Sequence, residues 1–137
     1  MPFVLDASIV GCWAFEDETH PVADLALERL RSDETLVPAL WWFEIRNILV
    51  VNERRKRLSE NDTAAFLRRL ARLRITVDRS PDEADVLMLA RQHQLSVYDA
   101  SYLELAQRNG VSLATLDRDL ANAASAVGVS LLGRAAA

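Results

Sequence analysis

Along the chain, short apolar runs alternate with longer segments whose apolar residues recur every three or four positions, the signatures of buried strands and amphipathic helices. Residues 3–5 form such a run and stop at Asp6, and 7–15 takes up helical spacing. Pro21 suits the first turn of a helix over 21–33, with Val22, Leu25, Ala26 and Leu30 on one stripe. A short strand at 36–37 ends at Pro38, and 40–57 reads as a long, unusually apolar helix. Ser59 and Asp62 spell a capping box that opens a helix to about residue 73. Residues 74–77 form a candidate strand, and Ser80, Pro81 and Glu83 mark the start of a helix ending near His93. The next helix, 97–108, is stopped by Asn109 and Gly110. Strand 111–115, helix 117–126 and a last strand 129–132 precede an Ala-rich end.

This order predicts an α/β fold with a central parallel sheet of about five strands flanked by helices, in one domain spanning 1–137 with 133–137 as a frayed tail. Ligands of open parallel sheets bind at the carboxyl ends of strands, where the strand order reverses. Asp6 and Asp117 both fall just past such ends.

Composition narrows the setting. Half the residues are hydrophobic and 26% are charged, enough for a packed core and too apolar for disorder. The single cysteine, Cys12, excludes an internal disulfide, and the start of the chain lacks the basic and apolar regions of a secretion signal, so a cytoplasmic setting is expected. Apolar runs such as 48–51 fall far short of the ~20 residues that span a bilayer, so no membrane contact is expected. The net charge of −4 argues against a polyanionic partner, yet residues 46–79 hold ten cations against four acids, or +6, leaving −10 elsewhere. That polarity points to a basic surface, with Arg54, Arg55 and Arg57 as candidate RNA contacts, and to an acidic centre apart from it. A solvated helix end accounts for the same cations equally well. Trp13, Phe15, Trp41, Trp42 and Phe43 supply more aromatic surface than a small core needs, as a protein partner would use.

Four carboxylates carry the candidate chemistry. Glu44 shares a helical stripe with Leu40, Trp41, Ile48 and Val51, and a buried carboxylate is costly unless it is paired or binds a cation. A buried salt bridge explains it equally well, and Asn47, one turn on, is its candidate polar neighbour. Asp99 is the third residue of a capping box begun by Ser96, yet it lies on one face with Tyr102, Leu103 and Ala106. Asp117 suits a helix N-cap, and Asp6 suits one with Ser8 as helper. Four separate structural explanations would have to hold together, whereas one cluster accounts for all four acids. Clustered carboxylates persist mainly around a cation, and an all-oxygen set favours Mg²⁺ or Mn²⁺ over zinc.

Other schemes fit poorly. Four glycines form no phosphate loop, no Cys/His spacing suits zinc, and no nucleophile elbow is present. Cys12 reads as a core residue. An aspartyl-phosphate phosphatase or phosphoacceptor domain also places Asp at a strand end, but it normally uses a lysine, and Lys56 lies on another segment.

The stretches VLDAS (4–8), VPALWWFEIRN (37–47), SVYDASYLELA (96–106) and LATLDRDLANAA (113–124) resemble the successive acidic motifs of VapC-type PIN domains, in order over nearly the whole chain. The resemblance implies a PIN-like parallel sheet with Asp6, Glu44, Asp99 and Asp117 as catalytic metal ligands, and Ser8 and Thr115 as their polar helpers. It further implies Mg²⁺- or Mn²⁺-dependent cleavage of RNA by the toxin of a type II toxin–antitoxin module, a homodimer, and a cognate antitoxin protein. A catalytically silent PIN-like interaction module is the non-enzymatic alternative.

Overall fold

The computed structural model describes residues 1–134, and four parallel strands form its single sheet. They are β1 (Phe3–Leu5), β2 (Thr35–Pro38), β3 (Ile75–Asp78) and β4 (Ser112–Ala114), arranged β3-β2-β1-β4. Phe3 pairs with Thr35 on one side and Ser112 on the other, so β1 is central and buried throughout. Parallel strands need long crossovers, and helices supply them here. These are α1 (Ala7–Trp13), α2 (Pro21–Arg29), α3 (Leu40–Arg54), α4 (Glu60–Leu70), α5 (Glu83–His93), α6 (Val97–Asn109) and α7 (Arg118–Ala126).

Helix α6 packs on β2, β1 and β4 and also touches α5 and α7, so most of its circumference is covered. Tyr102, Leu103, Leu105 and Ala106 are accordingly buried. Gly110 ends it at φ +64°, a left-handed turn in which a β-carbon is costly. The Ser59–Asp62 capping box of α4 forms in both directions. His20 caps α2, its Nδ1 accepting from the Val22 N–H at 3.1 Å, with Pro21 in the first turn.

Several expectations are corrected. The fifth strand at 129–132 shrinks to one parallel bridge between Leu113 and Leu131, because the chain turns at once, with Gly133 at φ +85° and the Arg134 N–H donating to Leu131 O. Helix α3 stops at Arg54, short of residue 57, where Lys56 adopts φ +60°. Its buried stripe runs through Trp41, Ile45, Leu49 and Asn52, one position round from the expected stripe, which leaves Glu44 at the stripe's edge. Helix α5 is capped by Asp82, whose side chain accepts from the Asp85 N–H at 3.0 Å, and Ser80 plays no part in the cap. Of the expected frayed tail, residues 135–137 lie outside the described residues. The aromatic set divides: Phe15 and Trp41 are buried and Trp13 is half-buried, leaving Trp42 and Phe43 exposed.

The displaced cap has a tertiary cause. Glu104, whose side chain is 2% exposed, accepts from the Asp82 N–H at 2.9 Å and from Arg108 Nε at 2.8 Å, while Arg108 Nη2 reaches Asp78 Oδ2 at 2.7 Å. The hydrogen bonds that Arg108 donates to Asp78 and then to Glu104 push its pKa up. The network ties α6 to the end of β3 and the start of α5. Removing one member of such a buried set leaves the others unsatisfied, so Glu104→Ala should cost about 2–4 kcal/mol in urea unfolding. Glu104→Gln, which still accepts from the Asp82 N–H, should cost less. A loss for the alanine variant smaller than about 0.5 kcal/mol, the usual scale of surface changes, would mean that the network does not support the fold.

Candidate active site

The strand order reverses between β1 and β4, and Asp6 and Asp117 follow those two strands directly. The Asp6 N–H donates to Ala114 O at 3.0 Å, which aligns the two strand ends. Although Asp6 occupies the N-cap position of α1, its side chain makes no capping hydrogen bond. Instead Ser8 Oγ and Thr115 Oγ1 both donate to its Oδ2, at 2.8 and 2.6 Å. Each hydroxyl in turn accepts a backbone N–H, Leu116 N to Ser8 Oγ and Asp117 N to Thr115 Oγ1, both at 3.0 Å. Those backbone donors aim both hydroxyl protons at Asp6, which is held as an acceptor with no partner on Oδ1 among the described residues.

Glu44 reaches the site from α3 and Asp99 from α6. The Tyr102 hydroxyl, one turn beyond Asp99, donates to Glu44 Oε1. Ser96 caps α6 by accepting from the Asp99 N–H at 3.0 Å, but the Asp99 carboxylate makes no hydrogen bond back, unlike Asp62 in the complete box of α4. Its side chain is therefore not consumed by capping. Asp117 does act as a cap, Oδ1 accepting from the Leu120 N–H at 3.0 Å, which leaves Oδ2 for other work.

None of the ion pairs among the described residues includes any of these four acids. Burial first, then the charges of Asp117, Asp6 and Asp119, push the Asp99 carboxyl up to about 6. Burial also raises Glu44, opposed by the Tyr102 hydrogen bond and reinforced by Asp6 and Asp99. Asp6 is raised chiefly by burial, with Asp117 adding to it and the Thr115 and Ser8 hydrogen bonds opposing it. The Tyr102 hydroxyl is raised by burial, by Asp6 and by its bond to Glu44, so it stays a protonated donor.

The four acids thus sense one another, but they are spread out. No three acidic, histidine or cysteine side chains among the described residues stand in a metal-binding arrangement. Glu44 Oε1 accepts from Tyr102, and Asp6 Oδ2 from Ser8 and Thr115, so the other oxygen of each carboxylate has no hydrogen-bond partner among the described residues. The donor set itself, all oxygen and uncompensated, suits a hard divalent cation.

A sequence profile of the PIN domain matches residues 3–126. The chain belongs to the PIN-domain family. It is 33% identical over 124 residues to Ribonuclease VapC3 of Pyrobaculum aerophilum, an alignment covering 88% of this chain and 93% of that protein, which makes it a VapC-type member. The crystal structure of PAE2754 from Pyrobaculum aerophilum superposes with a TM-score of 0.70 at 24% identity, covering 90% of this chain and 84% of that one. A chain in the crystal structure of FitAcB from Neisseria gonorrhoeae superposes at 0.67 with 16% identity, covering 96% of each. At these identities the structural likeness is one of fold.

Of the expected polar neighbours, Ser8 and Thr115 both donate to Asp6. Asn47 does not: it is exposed and makes no side-chain hydrogen bond, and Tyr102 occupies the place beside Glu44. The signal for Tyr102 is its one-turn spacing from Asp99, but only the tertiary fold brings Glu44 of α3 within reach of its hydroxyl. A groove of about 540 Å³ runs from Ser8 and Leu116 to Arg55 and Arg57. Arg54 and Arg55 are exposed and make no ion pair among the described residues. Arg57 pairs with Asp17 and Glu18, both at 3.3 Å, and stacks 4.1 Å from the Phe15 ring centroid.

The raised carboxyls carry a sign for stability. A group whose folded pKa exceeds its unfolded value contributes stability below the unfolded pKa, and loses it as pH rises through the folded one. For Asp99 the window runs from 3.8 to about 6. Asp6 and Glu44 act in the same direction. Asp33, Asp62 and Asp78, whose pKa values are lowered, act oppositely but only below 3.8. Metal-free protein should therefore melt at higher temperature at pH 5 than at pH 7.5. The Asp99 share is about 1 kcal/mol once its partial exposure is allowed for. Asp99→Asn should flatten this gain, and equal gains in both proteins would contradict the cluster's repulsion.

Proposed function

We propose that this chain is a metal-dependent endoribonuclease that hydrolyses RNA phosphodiester bonds, the toxin of a type II toxin–antitoxin module. The observation that carries this reading is the set of uncompensated carboxylates at the strand switch point. The relative named Ribonuclease VapC3 supports RNA as the substrate class. On this reading Asp6, Glu44 and Asp99 hold Mg²⁺ or Mn²⁺, and Asp117 completes that site or helps hold a second ion. When bound, the cation lowers the pKa of a water toward about 7 and stabilises charge that develops on the phosphoryl group.

The chain's own residues do the positioning. Ser8 and Thr115 fix Asp6 in the rotamer in which Oδ1 is available, and they offset part of its burial. Tyr102 holds Glu44 by one oxygen, so the carboxylate can swing on that anchor. Arg55, which lines the groove that reaches Ser8, and its exposed neighbour Arg54 track the RNA backbone. Arg57 is taken up by its ion pairs and shapes the turn. The protein works in the cytoplasm as a homodimer, and a co-expressed antitoxin protein neutralises it.

The test combines cleavage with melting. Purified protein should cut a mixed single-stranded RNA pool only with Mg²⁺ or Mn²⁺. Asp99→Asn should lower the rate by about 10²–10³-fold, the scale of losing one electrostatic stabiliser of the transition state. Without metal the variant should melt at or above the wild-type temperature, because like-charge strain is relieved. With Mn²⁺ at a hundredfold excess over Kd, wild type should gain about 2.7 kcal/mol and the variant little. If Asp99→Asn keeps full cleavage and metal response, Asp99 serves the helix alone.

A further inference from the structure

In three of the four acids, one carboxylate oxygen is already taken by a donor of the protein. Asp6 Oδ2 receives two hydroxyls, from Ser8 at 2.8 Å and from Thr115 at 2.6 Å. Asp117 Oδ1 receives the Leu120 N–H at 3.0 Å, and Glu44 Oε1 receives the Tyr102 hydroxyl. Their second oxygens, Asp6 Oδ1, Asp117 Oδ2 and Glu44 Oε2, have no hydrogen-bond partner among the described residues. Only Asp99 keeps both oxygens without one.

Of these contacts, the one between Tyr102 and Glu44 owes least to local structure. The Leu120 N–H belongs to the first turn of the helix that Asp117 caps, and Ser8 stands two residues from Asp6. Tyr102 and Glu44 are 58 residues apart, on different helices. The Tyr102 side chain is fully buried, so its hydroxyl has left water and needs an acceptor, whereas a phenylalanine would fill the same core position without that demand. Divalent cations differ in how they use carboxylates. Mg²⁺ requires a near-ideal octahedron at about 2.0–2.1 Å, keeps several waters and is satisfied by single carboxylate oxygens, while Ca²⁺ takes about six to eight oxygens and readily uses both from one carboxylate.

Resting on the reading of these acids as metal ligands, we infer that Tyr102 is a positioning residue that sets cation selectivity: by occupying Oε1 it confines Glu44 to ligation through Oε2 alone, which favours Mg²⁺ over Ca²⁺. Asp6 and Asp117 are restricted in the same sense, so the site offers Ca²⁺ a two-oxygen carboxylate only at Asp99. Tyr102 is also the one restraint that a single substitution lifts. Asp6 Oδ2 keeps one hydroxyl when the other is removed, and the donor to Asp117 is a backbone N–H.

The test is calorimetric titration of the full chain, free of RNA, with Mg²⁺ alone and with Ca²⁺ alone, which gives the ratio of the two affinities. Wild type should bind Mg²⁺ at least as tightly as Ca²⁺. Tyr102→Phe should shift the ratio toward Ca²⁺ by about 10-fold or more, the scale on which groups that hold a metal ligand act. In Glu44→Gln protein, whose amide offers a single oxygen, adding Tyr102→Phe should leave the ratio where it was. A hydroxyl that serves the core alone would change both affinities by one factor. An unchanged ratio in Tyr102→Phe therefore overturns the inference and leaves the metal-dependent reading standing. A wild type that binds Ca²⁺ about 10-fold more tightly than Mg²⁺ overturns it as well, whether or not the variant folds. Saturable binding of neither Mg²⁺ nor Mn²⁺ by wild type removes the metal-dependent reading, and this inference with it.

Discussion

The burial of uncompensated carboxylates at the mouth of the β1–β4 crevice, with their like charges adding to it, is the constraint around which this molecule is arranged. Asp6, Glu44, Asp99 and Asp117 come from four different segments, and no cationic side chain pairs with any of them among the described residues. Burial and mutual charge both penalise their ionised forms. The Asp99 carboxyl is pushed up to about 6 by burial first and then by the charges of Asp117, Asp6 and Asp119. A fold tolerates such a centre only if the surrounding packing is firm enough to hold the acids where they repel.

Firmness comes from both sides of the crevice. The central strand β1 is wholly buried, and α6 is packed on three strands and two helices, so Asp6 and Asp99 start from rigid supports. Local hydrogen bonds then fix orientation. Ser8 and Thr115, each locked by a backbone N–H from the β4–α7 connection, converge on one oxygen of Asp6. Tyr102 does the same for one oxygen of Glu44. Each carboxylate is anchored on one side and open on the other, a geometry suited to ligation without rebuilding the backbone. The Glu104–Arg108–Asp78 network secures the far end of α6 to the end of β3.

Much of this is legible in the sequence where chemistry is local. The order of strands and helices, the Ser59 capping box, the Gly110 stop and the four acids all follow from period, caps and spacing. Asp6 past an apolar run and Glu44 on an apolar helix announce themselves because burying a charge is costly. What escapes is tertiary. The start of α5 moves from Ser80 to Asp82 because Glu104, far along the chain, binds the Asp82 N–H. The last strand dwindles to a bridge because a turn closes immediately after it. Asn47 yields its place to Tyr102 because the buried stripe of α3 sits one position round from the expected one. Arg57 looks like its neighbours in sequence, yet the carboxylates that occupy it lie on the connection between α1 and α2.

The central claim is that these four acids together hold a divalent cation. Mn²⁺ binding followed by electron paramagnetic resonance at pH 7.5 tests this directly, comparing wild type with Asp6→Asn. Asp6→Asn keeps an acceptor for Ser8 and Thr115 but removes a charge. Wild type should bind saturably and the variant at least tenfold more weakly, with both proteins folded. No saturable Mn²⁺ binding by wild type, or equal binding by the two proteins, would contradict the claim.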